Sequence, residues 1–167
     1  SGVEADDYEV SFTEERAEIT RRDGDWNTTF ELVVSSEDDA EVRRISVTNM
    51  GAHACDLQVT SYAELSLAPQ AADVAHPAFA NLFVQTEFIP DVGALLATRR
   101  RRSNEEATVW VAQVVVVEGD TVGALQYETD RARFLGRGHH VRTAVSMIDG
   151  RTLSNTVGSV LDPVMSL

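Results

Sequence analysis

Apolar and polar residues alternate with a period of two along most of this chain, and sustained helical periodicity is nearly absent. Tyr8, Val10 and Phe12 alternate with Glu9 and Ser11, which predicts a first strand. Ala17 to Arg22 and Trp26 to Val34 flank Asp23-Gly24, a short-turn signal that predicts a hairpin. Thr28, Phe30, Leu32 and Val34 then share one face, and the acidic SSEDDAE stretch that follows reads as a solvated loop. EVRRISVTNMGAHACDLQVTSYAEL predicts two more strands around a turn at Asn49 to His53, with Ile45 and Val47 on one arm and Leu57, Val59 and Leu65 on the other.

The middle of the chain changes character. LAPQAADVAHPAFANLFVQTEFIP opens as an alanine-rich connection, and Phe79, Leu82 and Phe83 have the spacing of one helical turn within His76 to Phe83. Strand resumes over Val84 to Ile89, a turn follows at Pro90 to Gly93, and Ala94 to Arg100 with Thr108 to Val117 form a hairpin whose loop carries RRRRSNEE. The second arm is apolar on both parities, with Val109, Val111 and Val115 on one and Trp110, Val114 and Val116 on the other. That predicts a strand covered on both faces. Val122 to Thr129 is the last clear strand, and SNTVGSVLDP is rich in turn residues. About ten short strands with frequent turns predict an all-β, antiparallel sandwich with at most short helical turns. The alternating helices that a doubly wound or barrel fold needs are missing.

Composition narrows the function classes. With 167 residues the chain is long enough for one domain. Its net charge is −13 and all 14 basic residues are arginine. Such a surface repels phosphate backbones and anionic lipid, so nucleic acid and membrane are disfavoured as partners. Cys55 is the single cysteine, which excludes an internal disulfide and fits a reducing compartment. No apolar run approaches the ~20 residues of a membrane span, and no signal peptide opens the chain. It begins without methionine and ends on the apolar run VLDPVMSL, and we read it as a segment of a longer polypeptide.

The stretch with the most chemical promise is YETDRARFLGRG, Tyr127 to Gly138. A phosphate loop requires a glycine turn before a helix. Here the order is reversed: Thr129 and Asp130 are good caps for a helical turn over Arg131 to Leu135, and Gly136 stands where a helix ends. The glycines therefore terminate a turn, and Arg131 or Arg137 is left for ligand or interdomain contact. Arg99 to Arg102 form a basic run, but strand alternation splits its faces, Glu105 and Glu106 can pair with it, and no aromatic residues interleave it. Among the histidines, His53, His139 and His140 fall in turns, no zinc spacing exists, and no cofactor motif is found. His76, beside Pro77 and near Phe79, is the one with a semi-buried setting; with Glu87 it could serve as acid or base on a sugar ring.

Several segments in order, EDDAEVRRISVTNMG, LQVTSYAEL, AHPAFANLFVQTE, YETDRARFLGRG and NTVGSVLDPVMSL, resemble those of cyclic β-1,2-glucan synthases. More loosely they are similar to the N-terminal sandwich of glycoside hydrolase family 94 phosphorylases, formerly glycosyltransferase family 36. The resemblance covers about Tyr8 to Leu167. It implies a β-supersandwich like that of galactose mutarotase, preceding an (α/α)6 barrel that holds the catalytic acid, so no catalytic residue is expected in this chain. It further implies that Asp130, Arg131, Arg137 and His76 lie toward the neighbouring domain; together with Glu87, which the reading of the residues pairs with His76, they are the residues expected at a carbohydrate or interdomain contact. The partners expected on this basis are β-1,2-glucan and the barrel of the same polypeptide. The parent would be a bacterial inner-membrane enzyme with this domain on the cytoplasmic side. Two other readings remain open: a mutarotase-like epimerase using His76 and Glu87, and a spacer or dimerisation module that never touches sugar.

Overall fold

The computed structural model of the protein describes residues 4–167. The described residues form two compact units, one ending at Leu57 and the other spanning Gln58–Leu167.

In the first unit, strands β1 (Asp7–Phe12), β2 (Arg16–Asp23), β3 (Trp26–Val34) and β4 (Glu41–Asn49) form an antiparallel meander in sequence order. The register places Val10, Ile19, Phe30 and Ile45 in one row across all four strands. Because side chains alternate along a strand, this row and its neighbours at two-residue spacing make one face apolar. The opposite face carries rows such as Ser11, Glu18, Glu31 and Arg44. The β2–β3 turn is Gly24 and Asp25, with Gly24 at φ +56°, a left-handed conformation that glycine adopts without strain. Beside it the Arg21 guanidinium holds Asp23 in two hydrogen bonds of 2.6 Å, which keeps that carboxyl below its usual range.

β4 forms as expected, but its expected partner does not. Leu57 and Val59 are more than half exposed and residues 54–61 carry no strand. The turn itself diverts the chain. Met50 N–H donates to the Asp25 carbonyl at 2.7 Å, and the Asn49 side chain bridges Gly51 N–H and the His53 carbonyl. These bonds tie the turn to the β2–β3 loop instead of folding the chain back along β4.

The second unit holds two three-stranded antiparallel sheets. One is ordered β5 (Tyr62–Glu64), β10 (Pro163–Ser166), β9 (Glu128–Asp130); the other is β6 (Val84–Ile89), β7 (Ala94–Arg99), β8 (Trp110–Val114). The C-terminal run, read from sequence only as apolar, is thus a buried central strand, with Pro163 at its first residue where a missing N–H does least harm. The core gathers Leu65, Val84, Leu95, Ala97, Met165 and Leu167, with Phe88 and Tyr127 stacked against it at 4.1 Å between ring centroids.

Strand β8 corrects a second expectation. Register puts Val111 and Gln113 on the core face with Leu95 and Ala97, whereas Trp110 and Val114 face outward and are 58% and 54% exposed. Only one parity is covered. Val122 to Gln126 likewise forms no strand; Val122 is exposed and Gly123 takes φ +81°, which ends pairing before β9. The alanine-rich connection folds into two short helices rather than one turn, α1 (Gln70–Ala75) and α2 (Pro77–Asn81).

Candidate functional site

The YETDRARFLGRG segment folds largely as its caps dictate. Helix α3 spans Arg131–Leu135, and the Asp130 carboxylate accepts a hydrogen bond from Ala132 N–H at 2.9 Å. Gly136 follows at φ +82°, and a Cβ there would meet Val145 Cβ at 3.0 Å. Glycine is therefore required on two grounds, backbone angle and close approach to α4 (Val145–Ile148). Phe134 stacks on Tyr62 at 4.9 Å, and Ser146 Oγ donates to the Phe134 carbonyl. The buried residues Phe134, Leu135, Ala144 and Leu153 form a small core beneath this hairpin of helices.

Beside α3 lies an open cleft of about 370 Å³. Glu128 forms its floor, Arg133 and Arg151 its rim, and Ser146, Thr152 and Ser154 contribute hydroxyl groups. Glu128 is only 2% exposed. Its Oε1 accepts from Thr129 and Asp130 N–H at 3.0 Å each, and Oε2 accepts from Ser154 N–H at 3.3 Å. Hydrogen bonds to three N–H groups allow a carboxylate to be buried without an ion pair. The wall at 153–156 is held by side chains too: Leu153 N–H donates to Gln126 Oε1 at 3.0 Å, and Asn155 Oδ1 accepts from Tyr127 N–H at 2.8 Å. Each rim arginine has an acidic partner, Arg133 at 3.8 Å from Asp130 and Arg151 at 2.7 Å from Asp149. A cleft whose cations are already paired, and whose floor and walls offer fixed acceptors and hydroxyls, suits a neutral polyhydroxylated ligand better than an anion.

The residues singled out from sequence are not gathered in one place. Arg131 points away from the cleft, to Glu64 at 3.1 Å and Asp162 at 3.6 Å. Glu64 also accepts from the Tyr62 hydroxyl at 3.0 Å. Burial, reinforced by that hydrogen bond, pushes the Tyr62 phenol up to about 12. Asp130 caps α3 and does not itself line the cleft; it holds three residues that do, donating its N–H to Glu128, accepting from Ala132 N–H and pairing with Arg133. Arg137 is exposed and, among the described residues, makes no ion pair. His76 is exposed at the start of α2. Glu87 is exposed on β6 opposite Leu96, and no hydrogen bond joins it to His76. The acid–base pair considered for an epimerase is therefore not assembled.

Glu128, Arg133 and Arg151, which do line the cleft, were not singled out. The only signal for Glu128 is its position two residues before a helix cap at the end of a strand; nothing local marks Arg151. Among the described residues no group of three or more His, Cys, Asp or Glu could hold a metal ion, and no helix is long and apolar enough to cross a membrane.

Comparison with known proteins agrees with the architecture. The family model described as glycosyl hydrolase 94, supersandwich domain, matches residues 2–167. The chain is also 38% identical over 156 residues to the cyclic beta-(1,2)-glucan synthase NdvB of Rhizobium meliloti (strain 1021), covering 93% of this chain. It spans 6% of the length of that relative.

Proposed function

Since the chain belongs to the glycosyl hydrolase 94 supersandwich family, we propose that it is the non-catalytic, carbohydrate-contacting domain of a larger enzyme of the cyclic β-1,2-glucan synthase type. In this reading it packs on an (α/α)6 barrel of the same polypeptide and helps shape the glucan site, while the barrel supplies the chemistry. The parent is a bacterial inner-membrane glycosyltransferase-type enzyme, and this domain faces the cytoplasm.

The cleft beside α3 is the observation that carries the reading. Its volume of about 370 Å³ accommodates one or two sugar rings. Glu128, held by three N–H groups, fixes the floor, and the exposed Thr152 and Ser154 bring hydroxyls that can both donate and accept. Both rim arginines are charge-neutralised, so they act as hydrogen-bond donors rather than as a trap for anions.

The test is titration of linear β-1,2-linked oligoglucosides into the full-length enzyme and its Arg133→Ala and Arg151→Ala variants. Weaker binding in both variants, at unchanged thermal stability, is the expected result. In the isolated domain, sugar-dependent amide shifts confined to residues 128–136 and 151–154 should accompany it. Full affinity in both variants would rule the cleft out.

A further inference from the structure

A second site lies at the tip of the β7–β8 hairpin. Three guanidinium carbons gather around the ring of Phe83: Arg99 at 5.7 Å, Arg100 at 5.5 Å and Arg102 at 5.8 Å from its centroid. Arg102 also sits 5.4 Å from the centroid of Phe79, which meets Phe83 edge to face at 5.2 Å. Aromatic faces attract cations, and that attraction leaves their N–H donors available. One carboxylate meets this group: Glu106 lies 3.3 Å from Arg99 Nη1, and the same oxygen accepts from the backbone N–H of Arg102. Arg100 and Arg102 have no ion pair among the described residues. The Arg99 side chain is only 10% exposed, and its buried Nε has no hydrogen-bond partner.

Clustering like charges beside an unsatisfied buried donor is unfavourable unless an anion completes the group. Basic side chains at a merely solvated loop tip would spread apart. Here they are collected on a rigid aromatic platform, in a protein whose net charge is −13. We propose that Arg99, Arg100 and Arg102 form an oxyanion site for a phosphoryl group, independent of the cleft beside α3. Forked guanidinium donors match phosphate oxygens in pairs, and a dianion balances the excess charge better than a single carboxylate. The acidic remainder of the surface does not cancel the site, because screening limits it to about 8 Å at physiological salt.

The experiment titrates inorganic phosphate, glycerol phosphate and acetate into the full-length protein at matched ionic strength, by calorimetry and by thermal unfolding. Saturable phosphate binding that acetate does not reproduce is expected. Equal affinity for the two phosphates would identify the free anion as ligand, and tighter glycerol phosphate an organic phosphomonoester. Arg100→Gln/Arg102→Gln should weaken phosphate at least about tenfold, the loss of roughly one charge-assisted contact, while Arg142→Gln, remote in sequence, leaves it unchanged. Phe79→Leu, which keeps an apolar residue on α2 but removes a ring, should weaken it too. Binding no stronger than that of acetate, or unchanged by the double variant, overturns the site.

Discussion

Thr86 and Gly158 are joined by a pair of backbone hydrogen bonds, 3.0 Å from Thr86 N–H and 2.9 Å from Gly158 N–H. The Thr86 hydroxyl adds a contact to the Gly158 carbonyl at 3.1 Å. This single bridge fastens the turn-rich segment before β10 to the edge of the β6–β7–β8 sheet. Gly158 sits at φ +115°, with open space where a Cβ would project. Gly158→Ala should therefore cost backbone strain alone, about 1–3 kcal/mol, read as a lower denaturation midpoint. A variant as stable as the parent would mean that the bridge carries little.

The two parities of β8 and its neighbour β7 make opposite predictions. Leu95, with 0% exposure, lies on the core face; Leu95→Ala should destabilise by about 2–5 kcal/mol. Trp110, 58% exposed on the outer face, should tolerate Trp110→Ser within about 0.5 kcal/mol. Denaturant unfolding of the two variants compares them directly, and equal losses would contradict the register.

Helix α3 depends on its cap. Asp130→Ala should lose about 1 kcal/mol, whereas Asp130→Asn, which can still accept from Ala132 N–H, should lose only a fraction of that. If both variants match the parent in thermal unfolding, the cap contributes nothing to stability.

Alkaline pH should act through Tyr62. Its phenol holds its proton up to about 12 in the folded protein, against about 10 for an exposed tyrosine. Between these values the unfolded chain binds fewer protons than the native one, so stability falls as pH rises. The contribution is fully present below the unfolded value and is lost as pH passes the folded one. A phenolate absorbance titration should show a late step near pH 12 that vanishes in Tyr62→Phe; a titration without that step refutes the assignment.

How much of this was legible beforehand follows from the range of the forces involved. Strands β3 and β6 occupy the stretches their alternation marks, Trp26–Val34 and Val84–Ile89, and α3 occupies the stretch its cap and glycine mark, Arg131–Leu135. Alternation, capping and turn chemistry act between residues a few positions apart, so a linear reading captures them. The all-β class, the β2–β3 hairpin and the ending of α3 at Gly136 follow from these local rules. The exposed parity of β8 does not, since an apolar residue has the same identity whether or not anything covers it. Neither does the fate of VLDPVMSL: a buried strand between β5 and β9 exists only because two distant segments, Tyr62–Glu64 and Glu128–Asp130, supply its partners. The cleft is of the same kind. Glu128 and Ser154 meet across the 26 positions that separate them, and no spacing rule links two walls that only chain closure brings together. Local chemistry thus determined the elements, while tertiary pairing decided which edges are paired, which faces are covered and which carboxylates line the cleft.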